Sequence, residues 1–274
     1  SSFDLLDSKV RAYVVDRVKF DQSLLRSAVS KGVRFFGDTC YKSHENCDEG
    51  VIVATDNGFF KCKVIVGADG AGSRVRMNAG LCRGMKMVNG IIGHFDIDGA
   101  QSDYVELFYD KSIVKDFFAW KIPRGNDVEI GLASSKDHME SFRKFAKRFG
   151  VDPDSVQLYA HPINFGLMEK VVDEGVALVG DAACQVKPFS GGGIIYGFIC
   201  AEILADVLSS KEYSYKSLLK YERLWREKLG EPIKKGLDIR NLLDSLDDDE
   251  MDEFFSTAAS GCSELLDTGD MDFL

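Results

Sequence analysis

The sequence of 274 residues lacks several features that would place it in other classes of protein. No apolar run reaches the roughly 18 residues that a transmembrane helix needs, and no signal-peptide pattern is visible at the N-terminus. Basic side chains are in the minority: 34 Lys and Arg stand against 44 Asp and Glu, which gives a net charge of −10. We therefore expect no nucleic acid partner, because no basic stripe is available to neutralise phosphates.

The chain also lacks the spacings that are typical of disulfide frameworks and metal sites. Its seven cysteines contain no Cys-x-x-Cys pair, and an odd count in a chain this long favours reduced thiols in the cytoplasm. The histidines are scattered, without the spacing of metal ligands, at His44, His94, His138 and His161. Each is interpreted as structural or exposed, and no metal is expected.

A third absence concerns the fingerprint Gly-x-Gly-x-x-Gly, which opens a dinucleotide-binding fold between a first strand and a helix. Gly67–Gly72 and Gly191–Gly193 do not have this spacing, and residues 1–12 contain no buried strand. Such a fold begins with a βαβ unit of about 30 residues that carries the fingerprint. Either the fold is a different one, or the chain starts after its first nucleotide-binding unit.

The most informative stretch that is present runs from residue 175 to residue 197. A short apolar run, Val176–Val179, predicts a buried strand, which turns at Gly180 and Asp181. Three glycines, Gly191–Gly193, then precede a second apolar run. A strand, a glycine loop and a helix N-terminus place backbone N–H groups beside a cavity, where they suit an anionic or electron-rich ligand. The Asp181 carboxylate suits a polyol hydroxyl, so the two groups together fit a flavin with its ribityl chain.

The second apolar run predicts a helix over Ile194–Leu208. Glu202 and Asp206 lie four residues apart and share one face, so the rest of this helix is expected to be buried. From composition alone, the whole stretch is equally compatible with a tight turn followed by a flexible glycine loop.

The ordered string from Gly180 to Ile194 resembles the second flavin-binding signature of FAD-dependent oxidoreductases of the glutathione-reductase-like, p-hydroxybenzoate hydroxylase-like class. Within that class it most resembles the geranylgeranyl reductase family. Two other segments are similar to the same class: residues 16–28, with Asp16-Arg17 and Phe20-Asp21, and residues 67–76, with Gly-Ala-Asp-Gly and Val-Arg. The resemblance implies FAD as cofactor and a chain without its N-terminal Gly-x-Gly-x-x-Gly unit. The residues that it implies for FAD binding are Arg17, Asp181, Ala182, Pro188, Gly191, Gly192, Gly193 and Ile194.

A candidate substrate-binding surface, called the wall below, lies earlier in the sequence, at residues 118–123. Phe118, Trp120 and Ile122 alternate along a predicted strand and point to one face, an arrangement that core packing alone also explains. With Pro123 they are close to the Tyr-x-Trp-x-Phe-Pro motif that lines the lipid pocket of geranylgeranyl reductases. They are also near the Trp-x-Trp-x-Ile-Pro motif of flavin-dependent halogenases. Phe in place of Tyr removes a hydroxyl and Ile in place of Phe removes a ring, so the resemblance leaves the exact substrate open.

Four β-rich runs, at residues 90–98, 104–109, 117–123 and 128–134, predict an antiparallel meander. The expected fold is α/β (α+β): a partial FAD-binding Rossmann-like domain, an inserted antiparallel sheet for substrate, and a C-terminal helical region. The expected bounds are 1–85 and 166–210 for the FAD-binding domain, 86–165 for the substrate domain, and 211–274 for the helical region. Shorter patterns predict a helix at 24–31 ended by Gly32, a strand at 33–36, a type I′ hairpin at Asp56-Asn57-Gly58, and helices at 142–149, at 213–229 and from 247.

The resemblance implies reduction of carbon–carbon double bonds in isoprenoid (geranylgeranyl) lipid chains by hydride transfer from reduced flavin. Phe118, Trp120, Ile122 and Pro123 would contact the lipid, and NAD(P)H or ferredoxin would supply the electrons. No catalytic proton donor is predicted. A cytoplasmic protein with peripheral contact to a membrane is expected. A flavin-dependent monooxygenase or halogenase, and a non-catalytic fragment that holds no FAD, are the alternatives.

Overall fold

Residues 12–257 are the part of the chain that the computed structural model describes, and they form three β-sheets flanked by helices. The predicted α/β class is confirmed. The helices are α1 (Arg17–Ser30), α2 (Arg74–Asn78), α3 (His138–Lys147), α4 (Ile194–Ser209) and α5 (Tyr215–Ser245), with 3-10 turns at Pro153–Ser155 and Gly180–Ala183. Residues 248–257 are also helical. The first strands are β1 (Tyr41–Cys47), β2 (Gly50–Thr55), β3 (Gly58–Cys62) and β4 (Ile65–Gly67). The others are β5 (Met85–Phe95), β6 (Glu106–Phe108), β7 (Ala119–Pro123), β8 (Val128–Ser134), β9 (Tyr159–Gly166), β10 (Val172–Asp173) and β11 (Val176–Leu178).

A small sheet of order β10-β11-β4 brings together two segments that are far apart in sequence. The predicted strand β11 is confirmed, and it runs parallel to β4 with Gly67 opposite Leu178. The Val179 N–H extends the ladder with a 3.0 Å hydrogen bond to the Gly67 carbonyl. The carboxyl ends of parallel strands meet at one edge of a sheet, where ligands bind in open α/β folds. The two glycine-rich turns therefore begin side by side.

The largest sheet has five strands in the order β6-β7-β8-β5-β9. The four predicted β-rich runs supply β5 to β8, and all their pairings are antiparallel, as expected. The predicted meander order is wrong, because β5 pairs with β8 and not with β6. Strand β9, which pairs with the other edge of β5, was not predicted. The predicted amphipathic helix is α3, whose Phe142 and Phe145 are fully buried. These two rings join the core cluster beneath one face of the sheet, with Ile130 and Leu132 of β8.

The third sheet, β1-β2-β3, contains the predicted hairpin but not the predicted turn type. Thr55 pairs with Gly58, so Asp56 and Asn57 are the two central residues. A type I′ turn needs positive φ at both central residues, whereas here only Gly58, with φ of 118°, has a positive value. The strand predicted at residues 33–36 is also wrong: these residues belong to no helix and to no strand of the described sheets.

Three helices differ from their predictions. Helix α1 begins at Arg17, seven residues before the predicted start at residue 24. Helix α5 continues through Pro232 to Ser245, although a proline normally ends a helix, because residues on both sides of it stay buried. Helix α4 lies where it was predicted. The prediction that the whole helix is buried, except for the face of Glu202 and Asp206, is wrong. Its buried face consists of Tyr196, Cys200, Leu204 and Val207, which pack on α5, while Ile194, Ile195 and Phe198 are exposed. Within residues 12–257, no helix is both long enough and apolar enough to span a membrane.

Candidate functional site

Two loops leave the carboxyl ends of β4 and β11, and one buried arginine joins them. Arg76, in helix α2 directly after the first loop, is 4% exposed. Its Nη2 donates to the Ala71 carbonyl at 2.6 Å, and its Nη1 donates to the Ala182 carbonyl at 3.0 Å. A guanidinium that bonds carbonyls of both loops fixes their spacing. The Gly-Ala-Asp-Gly loop and the Gly-Asp-Ala-Ala turn therefore form one structural unit.

Asp69 stabilises the first of these loops. Its Oδ2 accepts hydrogen bonds from the Arg74 N–H at 2.8 Å and the Val75 N–H at 3.2 Å, and its Oδ1 accepts from the Ser73 hydroxyl. These N–H groups belong to the first turn of α2, where a carboxylate is favourable. The local role of Asp69 is thus to cap α2 and hold the loop closed.

The turn after β11 is held by a buried chain of hydrogen bonds. The Gly180 N–H donates to Gln185 Oε1 at 2.8 Å, and Gln185 Nε2 donates to the Tyr221 hydroxyl at 2.9 Å. That hydroxyl donates in turn to the Leu178 carbonyl at 2.8 Å. Gln185 and Tyr221 are both fully buried, so the position of the turn depends on α5. The glutamine of the sequence motif is therefore a structural residue of the turn.

The three glycines form a compact loop that folds back on Lys187. The Gly191 N–H donates to the Lys187 carbonyl at 2.8 Å, and the Lys187 N–H donates to the Gly192 carbonyl at 3.0 Å. Gly193 is the N-cap of α4, and no side chain caps this helix end. A Cβ placed on Gly193 would overlap Asp181 Oδ1 and lie 3.0 Å from Val186 Cγ1. Glycine at 193 therefore leaves the space that the Asp181 carboxylate occupies beside the helix N-terminus.

Asp181 and Arg17, which are far apart in sequence, act on each other in the structure. Burial raises the pKa of the Asp181 carboxyl above its ordinary value, and the positive charge of Arg17 acts in the opposite direction. Arg17 is the first residue of α1, and it also pairs with Asp21 one turn later at 3.1 Å. A carboxyl group whose pKa is raised by burial, and only partly lowered again by a nearby positive charge, is typical of a functional site.

The other predicted cofactor residues have different surroundings. Ala182 is buried and uses its carbonyl to bond Arg76, whereas Ile194 is 39% exposed. Pro188 is buried, and its carbonyl accepts a 3.1 Å hydrogen bond from Arg240 Nη1. The structure thus gathers the residues at 181–194 around one turn, with Arg17 beside them. Their assignment to a cofactor stays a prediction.

Arg240 is a residue that sequence reasoning missed. It is 5% exposed, and its guanidinium centre lies 4.0 Å from the ring centroid of Phe165 and 4.5 Å from that of Phe117. Its Nη2 donates to the Asp116 carbonyl at 2.6 Å. Burial lowers the pKa of Arg240, and nearby carboxylates, Asp244 first among them, oppose this. Arg240 therefore ties the glycine loop, through Pro188, to α5 and to the residues that precede β7.

The predicted substrate wall begins at the glycine loop. A Cβ on Gly191 would lie 3.3 Å from Ile163 and 3.7 Å from Phe117, so the loop packs directly against the large sheet. Phe117 stacks on Phe118 with ring centroids 4.3 Å apart, and Phe118 meets Trp120 edge to face at 5.9 Å. Phe117 and Phe118 are buried, with 9% and 7% exposed, and Trp120 is half-buried, so the rings form a continuous and mostly buried aromatic row that leads away from the loop.

Trp120 lies flat on the neighbouring strand. A Cβ on Gly131, its cross-strand partner, would overlap the indole ring, so glycine is required for this position. Ile122 and Pro123 continue the strand and are half-buried. A small cavity next to the wall is bounded by Phe118, by Phe189 of the loop, and by Arg240 and Met251 of the C-terminal helices.

The chemistry of the site fits a flavin. The N-terminus of α4, a helix of 16 residues, carries no side-chain cap, so its backbone N–H groups are suited to an electron-rich ring. The Asp181 carboxylate is suited to hydroxyl groups. Two buried polar atoms beside the loops, Arg76 Nε and Asn164 Oδ1, have no hydrogen-bond partner among the described residues. Such atoms are rare in proteins unless they serve a ligand or water. In the part of the chain that the structure describes, no group of three or more His, Cys, Asp or Glu could hold a metal ion.

A sequence model described as tryptophan halogenase matches residues 4–234. The chain belongs to this family. The curated relatives of this tryptophan halogenase family member include a digeranylgeranylglycerophospholipid reductase of Methanothrix thermoacetophila, 29% identical over 90% of this chain and 68% of the relative. An uncharacterized protein of Methanocaldococcus jannaschii is also 29% identical, over 96% of this chain and 72% of the relative.

Among solved structures, the chain is similar to a geranylgeranyl bacteriochlorophyll reductase-like protein of Thermoplasma acidophilum. The TM-score is 0.74 at 22% identity, over 86% of this chain and 66% of that one. This likeness shows the fold. Together these findings confirm the resemblance to geranylgeranyl reductases and the predicted class of enzyme, an FAD-dependent oxidoreductase. The chain spans about two thirds of the length of the relatives that it matches.

Proposed function

We propose that this chain binds FAD and reduces carbon–carbon double bonds of isoprenoid chains. The observation that carries the proposal is the junction at Gly191, where the loop that offers N–H groups packs against the start of the aromatic wall. A cofactor held by the loop would therefore lie next to a lipid held by the wall. Reduced FAD would supply a hydride to one carbon of the double bond, and the other carbon would take up a proton.

The residues of the chain would divide the remaining work. Asp181 accepts hydrogen bonds from cofactor hydroxyls, and Arg17 offsets its charge. The first turn of α4 and the glycines at 191–193 face the electron-rich ring. Phe118 and Trp120 would hold the alkene in an apolar environment that excludes water, and this positioning accounts for much of the catalysis in such a reaction. The names of the reductase relatives support an isoprenoid substrate.

A flavin-dependent monooxygenase or halogenase is the second candidate, because the matching family carries the halogenase name. The two functions differ in what they consume. A reductase adds one molecule of hydrogen per double bond under anaerobic conditions, whereas a halogenase or monooxygenase needs oxygen and, for the former, halide.

The test measures FAD binding and turnover separately. Binding is followed by quenching of FAD fluorescence on titration with the protein. Turnover is followed by mass spectrometry after the dithionite-reduced protein is incubated anaerobically with geranylgeraniol and with an unsaturated archaeal-type glycerolipid. We expect the product to gain hydrogen. Binding of FAD with no hydrogen gain, together with an oxygen-dependent product, would favour the second candidate.

Gly193→Ala and Gly192→Ala provide a matched pair for the cofactor site. The Gly193 backbone has φ of −111°, which alanine adopts freely, so the effect of its Cβ is confined to Asp181 and Val186. A Cβ on Gly192 meets Ser190 Oγ at 3.4 Å, an ordinary contact. We expect Gly193→Ala to weaken FAD binding at least tenfold and Gly192→Ala to change it less than threefold. Equal effects of the two variants would contradict the assignment of Asp181 and Gly193 to the cofactor.

A further inference from the structure

An ionisable pair lies on the same face of the large sheet as Trp120. His94 of β5 and Glu129 of β8 are cross-strand partners, and His94 Nε2 lies 3.3 Å from Glu129 Oε2. The other carboxylate oxygen, Oε1, accepts a 2.9 Å hydrogen bond from Trp120 Nε1. The His94 and Glu129 side chains are 30% and 21% exposed, so both are partly desolvated and still reachable by a ligand.

The strand register places this pair at the far end of the wall from the glycine loop. Glu129 is opposite Ile122, whereas Gly191 contacts Phe117 at the near end. Four residues of strand, the separation of Phe118 from Ile122, span roughly 13 Å. A chain that follows the wall away from the loop would therefore meet His94 and Glu129 after about that distance.

The surroundings of the pair are apolar on this face. The neighbouring side chains with the same orientation in the ladder are Ile92, Leu107, Trp120, Ile122 and Tyr159. The His94 ring also packs beside Tyr159, with ring centroids 6.0 Å apart. A carboxylate in such a setting is costly unless it has hydrogen-bond partners, and an isolated pair of this kind marks the polar end of an otherwise apolar surface.

The chemistry of the pair selects the kind of group that it can bind. An ionised carboxylate only accepts hydrogen bonds, and it has about four lone-pair sites, of which Trp120 and His94 use two. A hydrogen bond between His94 and Glu129 requires the proton on Nε2, so the His94 ring donates to this carboxylate. The Glu129 carboxylate therefore has acceptor sites left for a ligand, and its negative charge repels an anion such as phosphate.

We propose that His94 and Glu129 bind the hydroxyl group of an uncharged amphiphile whose isoprenoid chain lies along Phe118 and Trp120 toward the glycine loop. This inference rests on the proposed function, because it takes the wall to be the lipid site. It names the substrate class more closely: an isoprenoid chain that ends in an alcohol is preferred to one that ends in a diphosphate. It also assigns Glu129 and His94 as specificity-determining residues.

The experiment measures lipid binding to the full chain without added flavin. The probes are geranylgeraniol and geranylgeranyl diphosphate, presented in the same detergent, and the readout is the emission of Trp120. The sequence has two tryptophans, and Trp225 is 1% exposed in the core, so a lipid on the wall would act mainly on Trp120. We expect the wild-type protein to bind the alcohol more tightly than the diphosphate.

Glu129→Gln removes the charge and keeps an oxygen for Trp120 Nε1. We expect it to raise the Kd for the alcohol about tenfold, equivalent to about 1.4 kcal/mol, and to reduce the discrimination against the diphosphate. Glu106→Gln is the matched control, because Glu106 pairs with Lys121 at 2.7 Å on the opposite face of the sheet. It should change neither Kd. If Glu129→Gln shifts the emission of the free protein, His94→Asn, which leaves the Trp120 hydrogen bond intact, replaces it.

Two results would overturn the inference: tighter binding of the diphosphate by the wild-type protein, or an alcohol Kd that neither Glu129→Gln nor His94→Asn changes. In the latter case, the pair serves only to orient Trp120. Failure of the proposed function has a different signature. A protein that binds the alcohol through Glu129 and never reduces it would contradict the reductase proposal and leave this inference intact.

Discussion

Tyr221→Phe tests whether the turn that carries Asp181 is held from α5. The substitution removes one oxygen atom and leaves the ring in the core, so its effect is confined to two hydrogen bonds. Gln185 Nε2 loses its acceptor at 2.9 Å, and the Leu178 carbonyl loses its donor at 2.8 Å. All three residues are fully buried, and no water can replace the hydroxyl without a cavity.

The magnitude follows from these two orphaned groups. A buried polar group that loses its partner costs about 1–3 kcal/mol, and the phenyl ring recovers part of this because it needs no desolvated hydroxyl. We therefore expect Tyr221→Phe to lower the free energy of unfolding by about 2–3 kcal/mol. For a chain of this size, that corresponds to a fall in Tm of roughly 4–12 °C.

The measurement is urea unfolding followed by far-UV circular dichroism, with the slope checked for constancy. Tyr213→Phe is the control: Tyr213 is 39% exposed, and its loss of a hydroxyl should stay within about 0.5 kcal/mol. The double variant Tyr221→Phe, Gln185→Leu should be less destabilised than the sum of the single variants, since both remove the same hydrogen bond. A loss for Tyr221→Phe no larger than for Tyr213→Phe would refute the view that this network holds the turn.

Three further predictions concern other parts of the molecule. Gly131→Ala should displace the Trp120 indole, shift its emission to longer wavelength and lower the free energy of unfolding by about 1–3 kcal/mol. Gly72→Ala, whose Cβ would have open space around it, should have none of these effects. An unchanged emission in Gly131→Ala would contradict the packing of Trp120 on Gly131. Asp181→Asn should raise Tm at pH 7, because burial raises the pKa of Asp181 and the ionised carboxylate is disfavoured in the folded protein. The gain in Tm should vanish below about pH 3.9, where Asp181 is protonated in both the folded and the unfolded protein. A gain in Tm that is independent of pH would argue against this cause. Burial raises the pKa values of Cys184 and Cys200 to about 12, so at pH 8 a thiol reagent should label the exposed Cys40 and Cys82 and reach the buried pair only after unfolding, as peptide mapping would show.

The parts of the fold that could be predicted are those with a local signal. The apolar run of β11 and the Gly-Asp turn that follows it define that strand end without knowledge of its partner. The aromatic alternation of Phe118 and Trp120 likewise fixes a shared face, because successive side chains of a strand point to opposite sides. The four predicted strands of the large sheet, β5 to β8, have the same kind of pattern. These elements were placed correctly because their residues alone determine their character.

The residues that were missed take their role from partners far along the chain. Arg240 bonds Pro188, 52 positions away, and Asp116, 124 positions away, so no window of sequence contains the reason for its burial. Strand β9 carries Pro162 and His161, which weaken a strand pattern, and it exists because β5 offers it an edge. The exposure of Ile194 and Phe198 has the same origin. Apolar composition predicts that a helix can be buried, but only the packed neighbours decide which face is.

The relation between Asp181 and Gly193 shows why a sequence signature can nevertheless indicate a site. Twelve positions separate the two residues, yet any side chain at 193 would occupy the place of the Asp181 carboxylate. Glycine at that position does not serve flexibility, since its φ of −111° is open to every residue. It is required by a neighbour in space. The acid and the glycine of this motif are therefore linked by one contact in the folded protein. That contact places the desolvated Asp181 carboxylate next to the N-terminus of α4.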